Sequence, residues 1–199
     1  MKHVRPAVMM TVVLILLTGI AYPLVVMGVG KLVFATQANG SLLERNGAIV
    51  GSAIIGQGFK SDRYFQGRPS AAGNGYDATS SGGSNLAPTN RALIEAVGQR
   101  IKALTEANPG MTPDKVPVDL VTASGSGLDP EISPAAAEFQ VKRVAKARGM
   151  TEEQVRHLVA ANTRARWAGI FGEPRVNVLM LNLALDSAGG TSQRADARH

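Results

Sequence analysis

Between Pro6 and Gly30 the chain carries no charged side chain, and Lys2, His3 and Arg5 crowd the end that precedes this stretch. A helix needs roughly 20 apolar residues to cross the hydrocarbon of a bilayer. The run from Ala7 through Leu17, Ile20 and Leu24 to Val29 is long enough, with some tilt. Lys and Arg are retained on the cytoplasmic side, so the basic end at 1–6 is expected in the cytoplasm, a transmembrane helix at 7–29, and everything after Lys31 outside. Two other readings stay open. A cleaved signal peptide has an apolar core of about 7–15 residues and a small-x-small cleavage site, whereas Ala35-Thr36-Gln37 puts a poor residue at the cut. A buried helix of a soluble core rarely runs this long without a charge. Tyr22-Pro23 predicts a kink or the outer interface, because proline removes a backbone donor. Thr11, Thr18 and Tyr22 share one face, which suits contact with a partner helix and equally suits ordinary tolerance of Thr in a membrane.

With 199 residues, the chain has room for this anchor and one domain of ordinary size. Net charge is +6, with much of the excess between Lys142 and Arg175. A solvated helix face or an acidic protein partner explains that stretch better than nucleic acid, which an exported domain rarely meets. There is no cysteine, hence no disulfide framework and no thiolate metal site. His3, His157 and His199 are scattered, so neither a zinc site nor any other metal centre is expected.

Along the exported part, Asn46-Gly47 between short apolar runs predicts a hairpin or small meander between about Leu42 and Gln57. A Gly-, Ser- and Asn-rich stretch from Ser70 to Asn85, punctuated by Tyr76-Asp77, reads as a structured loop rather than a spacer. Thr89 or Asn90 caps a helix carrying Leu93, Ile94, Val97, Ile101 and Leu104, which ends at Asn108-Pro109-Gly110. Val116 to Ala123 reads as a buried strand leading into Ser124-Gly125-Ser126-Gly127. Ser133-Pro134 opens a second helix that closes on basic residues before Gly149. Thr151-Glu152-Glu153-Gln154 is a capping box for a third. Arg175 to Leu179 looks like a strand, and an apolar segment follows to Leu185. Residues 187–199 lack apolar periodicity and are expected to form a disordered tail. The fold class is thus a single N-terminal transmembrane helix followed by one mixed α/β extracytoplasmic domain at 31–186.

Chemical motifs are sparse. Gly51-Ser52-Ala53-Ile54-Ile55-Gly56 has the glycine spacing of a phosphate-binding loop, but Gln57-Gly58 stands where Lys and Ser or Thr belong, so a bulged strand is the better reading. Gly125-Ser126-Gly127 is half of a dinucleotide fingerprint, with Pro130 in place of the third glycine. Its amides could receive an anion or carboxylate ahead of the helix, and they equally suit a tight turn; Ser124, Gly125, Ser126, Gly127 and Asp129 are the candidates for such a loop. Ser124 and Ser126 lack a nucleophile elbow, and His157 is the one internal base of that kind. Asp129 and Glu131 could pair for acid–base work or satisfy local amides. No catalytic residue is assigned, and an accessory or interaction role is favoured over an enzyme.

Several strings in succession carry more. Gly51-Ser52, Ile55-Gly56-Gln57, Tyr64-Phe65-Gln66-Gly67-Arg68-Pro69-Ser70-Ala71, Ser81-Gly82-Gly83-Ser84-Asn85-Leu86, the run from Asp119 to Pro130 (DLVTASGSGLDP) and Gly172-Glu173-Pro174-Arg175-Val176-Asn177-Val178-Leu179 occur in that order. Together with the N-terminal anchor they resemble the C-subunit family of the bacterial Kdp potassium-transporting P-type ATPase, to about Asp186. The resemblance implies a hetero-oligomer in the bacterial inner membrane, with an ion-carrying subunit (KdpA), an ATP-hydrolysing subunit (KdpB) and a small peptide (KdpF). It implies a role in assembly, and as a catalytic chaperone that raises the ATP affinity of KdpB. In that account ATP is the implied cofactor, and Ser81, Gly82, Gly83, Ser84 and Asn85, similar to the signature loop of ABC transporters, help to hold nucleotide. Nothing in the chain imitates the phosphorylated Asp of P-type chemistry, so it is not expected to hydrolyse ATP alone. Glu131 departs from the family, where His commonly follows Leu-Asp-Pro. The topology and the chaperone role pull apart, because ATP is scarce outside the cytoplasm. A periplasmic cap that fixes or gates the ion-carrying subunit, without binding ATP itself, is the alternative. An anchored receptor for a small ligand is the third.

Overall fold

The computed structural model describes residues 2–196, and the chain divides into two compact units, Met1–Val50 and Gly51–His199. In the first unit one helix, α1, runs Val4–Val33 with a mean hydropathy of 2.5, and none of its most apolar window is buried by the rest of the protein. It extends past 7–29 at both ends. The perturbation expected at Tyr22-Pro23 takes a specific form. Leu17–Ala21 is a single π-turn in which the Tyr22 amide reaches back to the Leu17 carbonyl. Pro23 has no amide hydrogen and its ring crowds the carbonyl four residues earlier, and one extra residue in the turn relieves that crowding. Thr18 returns its hydroxyl to the Leu14 carbonyl at 2.7 Å, so this polar group is satisfied within its own helix.

The predicted hairpin forms from β1 (Leu42–Arg45) and β2 (Ala48–Ser52). Asn46 and Gly47 both have positive φ, 53° and 78°, as a two-residue hairpin turn of the primed type demands. No strand or bulge continues through 53–55. Ser52 ends β2 instead, its hydroxyl accepting the Ile54 amide at 3.3 Å and its carbonyl the Ile55 amide at 3.4 Å.

In the second unit α2 (Arg91–Ala107) begins at Asn90, whose side chain accepts the Ala92 amide. The strand expected at 116–123 does not exist. Pro113–Lys115 and Val118–Leu120 are 3-10 turns. Pro117 lies within the apolar run and has no donor for a sheet ladder, and Val118 is 70% exposed beside buried Leu120 and Val121. Next come β3 (Glu131–Ile132), α3 (Pro134–Arg148), α4 (Glu152–Ala161), β4 (Thr163–Arg164), β5 (Arg175–Asn177) and α5 (Val178–Asp196). Helix α3 starts as its sequence requires, with the Ser133 hydroxyl accepting the Ala136 amide, and it stops at Gly149 in the left-handed region. The capping box of α4 is complete, Thr151 and Gln154 each accepting the other's amide.

The three short strands form one antiparallel sheet in the order β3-β5-β4, with Ile132 and Thr163 both opposite Val176. The apolar core lies between this sheet and helices α3, α4 and α5. Helix α3 is its centre, with Val141 and Val144 wholly enclosed and Phe139 nearly so; each such side chain contributes about 1.5–3 kcal/mol on burial. Strand β5 is shorter than its apolar pattern, because Asn177 caps α5 by accepting the Met180 amide at 3.0 Å. Helix α5 continues to Asp196, past Ser187 where a disordered tail is expected. Once packing has nucleated a helix, each further residue adds a hydrogen bond for little extra ordering. Positions 197–199 of the expected tail lie outside the described residues.

Candidate functional site

The two Gly/Ser loops singled out in the sequence lie against each other. The Gly82 amide donates to the Ser126 carbonyl at 2.8 Å, and the Ser81 hydroxyl donates to the same oxygen at 3.0 Å. Close approach explains one glycine on each side. A Cβ on Gly83 would sit 3.1 Å from the Gly125 carbonyl oxygen, and one on Gly127 would sit 2.6 Å from the Gly82 carbonyl oxygen and 2.7 Å from the Ala72 nitrogen. Gly127 also has φ 68°. Ser124 is buried and its carbonyl accepts the Gly127 amide, while the Ser126 hydroxyl accepts the Leu128 amide at 3.1 Å. Asn85 takes a positive φ of 51°, a region that Asn tolerates better than most residues.

A third segment, the irregular stretch 67–77, holds these loops. The Ser70 hydroxyl donates to the Gly127 carbonyl at 2.6 Å and accepts the Tyr76 and Ala72 amides. Tyr76 in turn donates its hydroxyl to the Arg68 carbonyl at 2.5 Å. Burial, and then the neighbouring Asp129 carboxylate, push the Tyr76 phenol above its ordinary range, so it stays protonated and able to donate. Arg68 pairs with Asp129 at 3.1 Å and reaches the Ala123 carbonyl at 3.4 Å. The signal available in the sequence was Ser70 itself, a small hydroxyl directly after a proline in a Gly-rich run.

Asp129 is therefore committed twice, to Arg68 and, through its other oxygen, to the Glu131 amide at 3.0 Å. Glu131, the residue that departs from the family pattern, pairs with Arg175 of β5 at 2.7 Å. The two carboxylates thus hold a turn and a sheet edge. Among the described residues no three His, Asp or Glu side chains come together as a metal site.

A cleft of about 610 Å³ opens beside this platform, with Arg68 and Tyr76 on one wall and Arg100, Ala103 and Leu104 of α2 on the other. Arg100 is anchored at its rim by a 2.8 Å hydrogen bond to the Val121 carbonyl. A phosphate-binding loop works by turning its amides outward. Here the Gly82 amide and Ser81 hydroxyl are spent on Ser126, so with the loops together these two donors do not fit a nucleotide phosphate.

Residues 4–187 match the family model KdpC, described as the c chain of the K+-transporting ATPase. A protein of Burkholderia orbicola named potassium-transporting ATPase KdpC subunit is 59% identical over 186 residues, covering 93% of this chain and 96% of its own. Proteins of the same name from Acidobacterium capsulatum and Rhodopseudomonas palustris are 57% and 53% identical, each over 94% of this chain and 98% of their own.

Proposed function

This chain belongs to the KdpC family of potassium-transporting ATPase c chains, and from that premise we propose that it is a non-catalytic accessory subunit which assembles the complex and raises the ATP affinity of its hydrolysing subunit. The observation that carries the reading is likeness over nearly the full length to proteins named as subunits of this ATPase. In this reading α1 is a single-pass anchor in the bacterial inner membrane. Lys2 and Arg5 hold its start in the cytoplasm and the domain after Lys31 lies in the periplasm. KdpA carries the ion, KdpB hydrolyses ATP, and KdpF completes the hetero-oligomer.

Affinity purification of the tagged chain in mild detergent should recover two large membrane subunits with potassium-stimulated ATPase activity. Deleting this chain should abolish that activity or raise the ATP concentration needed for it. Recovery of the chain alone, folded and binding a small molecule, would replace this reading with that of an anchored receptor.

A second reading, a periplasmic cap that fixes or gates the ion-carrying subunit without touching ATP, is favoured by the hydrogen bonds that Ser81 and Gly82 spend on Ser126. Labelling separates the two. The chain has no cysteine of its own, so a single S84C side chain in membrane-embedded complex reports its compartment. Modification by an impermeant maleimide added outside supports the cap, and modification only from the cytoplasmic face supports direct nucleotide contact by residues 81–85.

A further inference from the structure

Apart from isolated side chains such as Ile54, Ile94 and Val118, the described residues of the second unit expose their large apolar side chains in one place. Trp167 and Ile170 are each 73% exposed and Phe171 61%, all within one turn between β4 and β5. Scattered apolar residues are normal on a surface, but a contiguous aromatic and aliphatic patch marks a contact.

This turn is also closed by its own hydrogen bonds. The Trp167 amide donates to the Phe171 carbonyl at 2.8 Å and the Phe171 amide returns to Trp167 at 3.0 Å. The two rings sit 5.7 Å apart. Ala168, a residue that seldom does so, takes φ 51°, followed by Gly169 at 76°. The stem is fixed in the sheet, since Val176 on β5 is wholly buried. An ordered tip loses little freedom on binding.

Its charges discriminate among partners. A turn built for an anionic lipid surface sets uncompensated Lys or Arg beside its aromatic residues. Here Arg166 donates to both oxygens of Glu173, at 2.7 and 2.9 Å, and Glu131 pairs with Arg175, while Arg164 at the base of the turn reaches back to the Met180 sulfur at 3.9 Å. A convex turn of five residues pressed against its own copy would fall far short of the roughly 800 Å² per partner of a stable interface. A plug of Trp, Ile and Phe whose own arginine, Arg166, is paired within the turn suits a concave apolar pocket on a larger protein, where such anchors dominate binding.

We propose that the turn at 167–171 is the plug by which this domain docks into an apolar pocket on another, larger subunit of the potassium-transporting ATPase. The proposal rests on the accessory-subunit reading and supplies the contact surface for it.

The test uses the whole complex. Benzoylphenylalanine in place of Phe171 is expected to cross-link on irradiation to a large subunit, whereas the same group in place of exposed Ile94 is not. The triple variant W167S/I170S/F171S is expected to recover at least tenfold less of the large subunits, with its circular dichroism and Tm as in the unaltered chain. Cross-linking from position 171 only to lipid, only to a second copy, or to nothing within an intact active complex overturns the proposal and leaves the subunit reading standing. So does normal recovery by the triple variant. Failure of the unaltered chain to recover any subunit would sink both together.

Discussion

Replacing Arg143 by Met is expected to cost about 3–5 kcal/mol of unfolding free energy, in the range found when one partner of a buried charged network is removed. Arg143 lies on α3 with its side chain only 4% exposed. Its guanidinium serves the carbonyls of Asp62 (2.7 Å) and Tyr64 (3.2 Å), the Gln140 side-chain oxygen (2.7 Å) and the Asn108 side-chain oxygen (3.2 Å). Burial pulls its pKa down and the Asp62 carboxylate partly offsets this, but a guanidinium keeps its charge in a protein. The 3.9 Å ion pair with Asp62 is a minor contribution, because that carboxylate is 72% exposed. Met keeps the packing of the stem and takes the donor from the Tyr64 carbonyl and the Asn108 oxygen, each at about 1–3 kcal/mol, while the Gln140 oxygen keeps the Gln66 amide. Denaturant unfolding of the full chain in mild detergent, followed by circular dichroism, measures the loss. Arg156 is the control: it faces Glu138, Glu152 and Glu153 in solvent, and its removal should shift the midpoint little. A loss below about 1 kcal/mol for the Met variant would mean that the acceptors find other donors.

Gly127→Ala is expected to cost about 3 kcal/mol or more, and Gly125→Ala, two residues away, almost nothing. At Gly127 a Cβ meets backbone on two sides, 2.6 Å from the Gly82 oxygen and 2.7 Å from the Ala72 nitrogen. The left-handed backbone adds about 1–2 kcal/mol of its own. Neither obstacle is a flexible side chain, so the loops must part. At Gly125 an added Cβ meets nothing within 4 Å, and the smaller entropy of the unfolded chain can even stabilise by about 0.4–1 kcal/mol. Thermal unfolding compares the two variants. Amide exchange at Gly82 adds a local reading, since parting of the loops should expose that N–H while α3 stays protected. Equal tolerance of both substitutions would show that the contact between the two loops is dispensable.

What could be seen in the sequence followed the range of the interaction. Local signals were legible: the uncharged run that becomes α1, the Asn46-Gly47 turn, the Ser133-Pro134 start, the Gly149 stop and the Thr151/Gln154 box each act within four residues of themselves. No strand forms at 116–123, because Pro117 has no donor for a ladder however apolar its neighbours. The strand expected at 175–179 was cut short because Asn177 serves a helix rather than the ladder. In the site, both Gly/Ser loops were found as candidates, yet their contact was not, since it joins residues 45 positions apart. Ser70 after Pro69 marks a turn, but neither it nor Tyr76 says locally that its partner is Gly127 or Arg68. The exposed turn at 167–171 was missed for the opposite reason. Trp, Ile and Phe read as core until a structure leaves them outside.

The stretch at 62–66, a turn at Asp62 and Arg63 that runs on without a strand beside it, is held by four side chains in place of one, among them Arg148, which donates to the Arg63 carbonyl at 2.6 Å. Asn182 holds both the amide and the carbonyl of Phe65, at 2.9 and 3.0 Å, Gln140 does the same for Gln66 at 2.8 and 3.1 Å, and Arg143 takes the carbonyls of Asp62 and Tyr64. The protein therefore recognises this stretch as a receptor recognises a bound peptide, by its main chain. Outward-facing side chains such as Arg63 are left free to drift over evolutionary time. Length and register are not, because an inserted or deleted residue would put every carbonyl in front of the wrong donor.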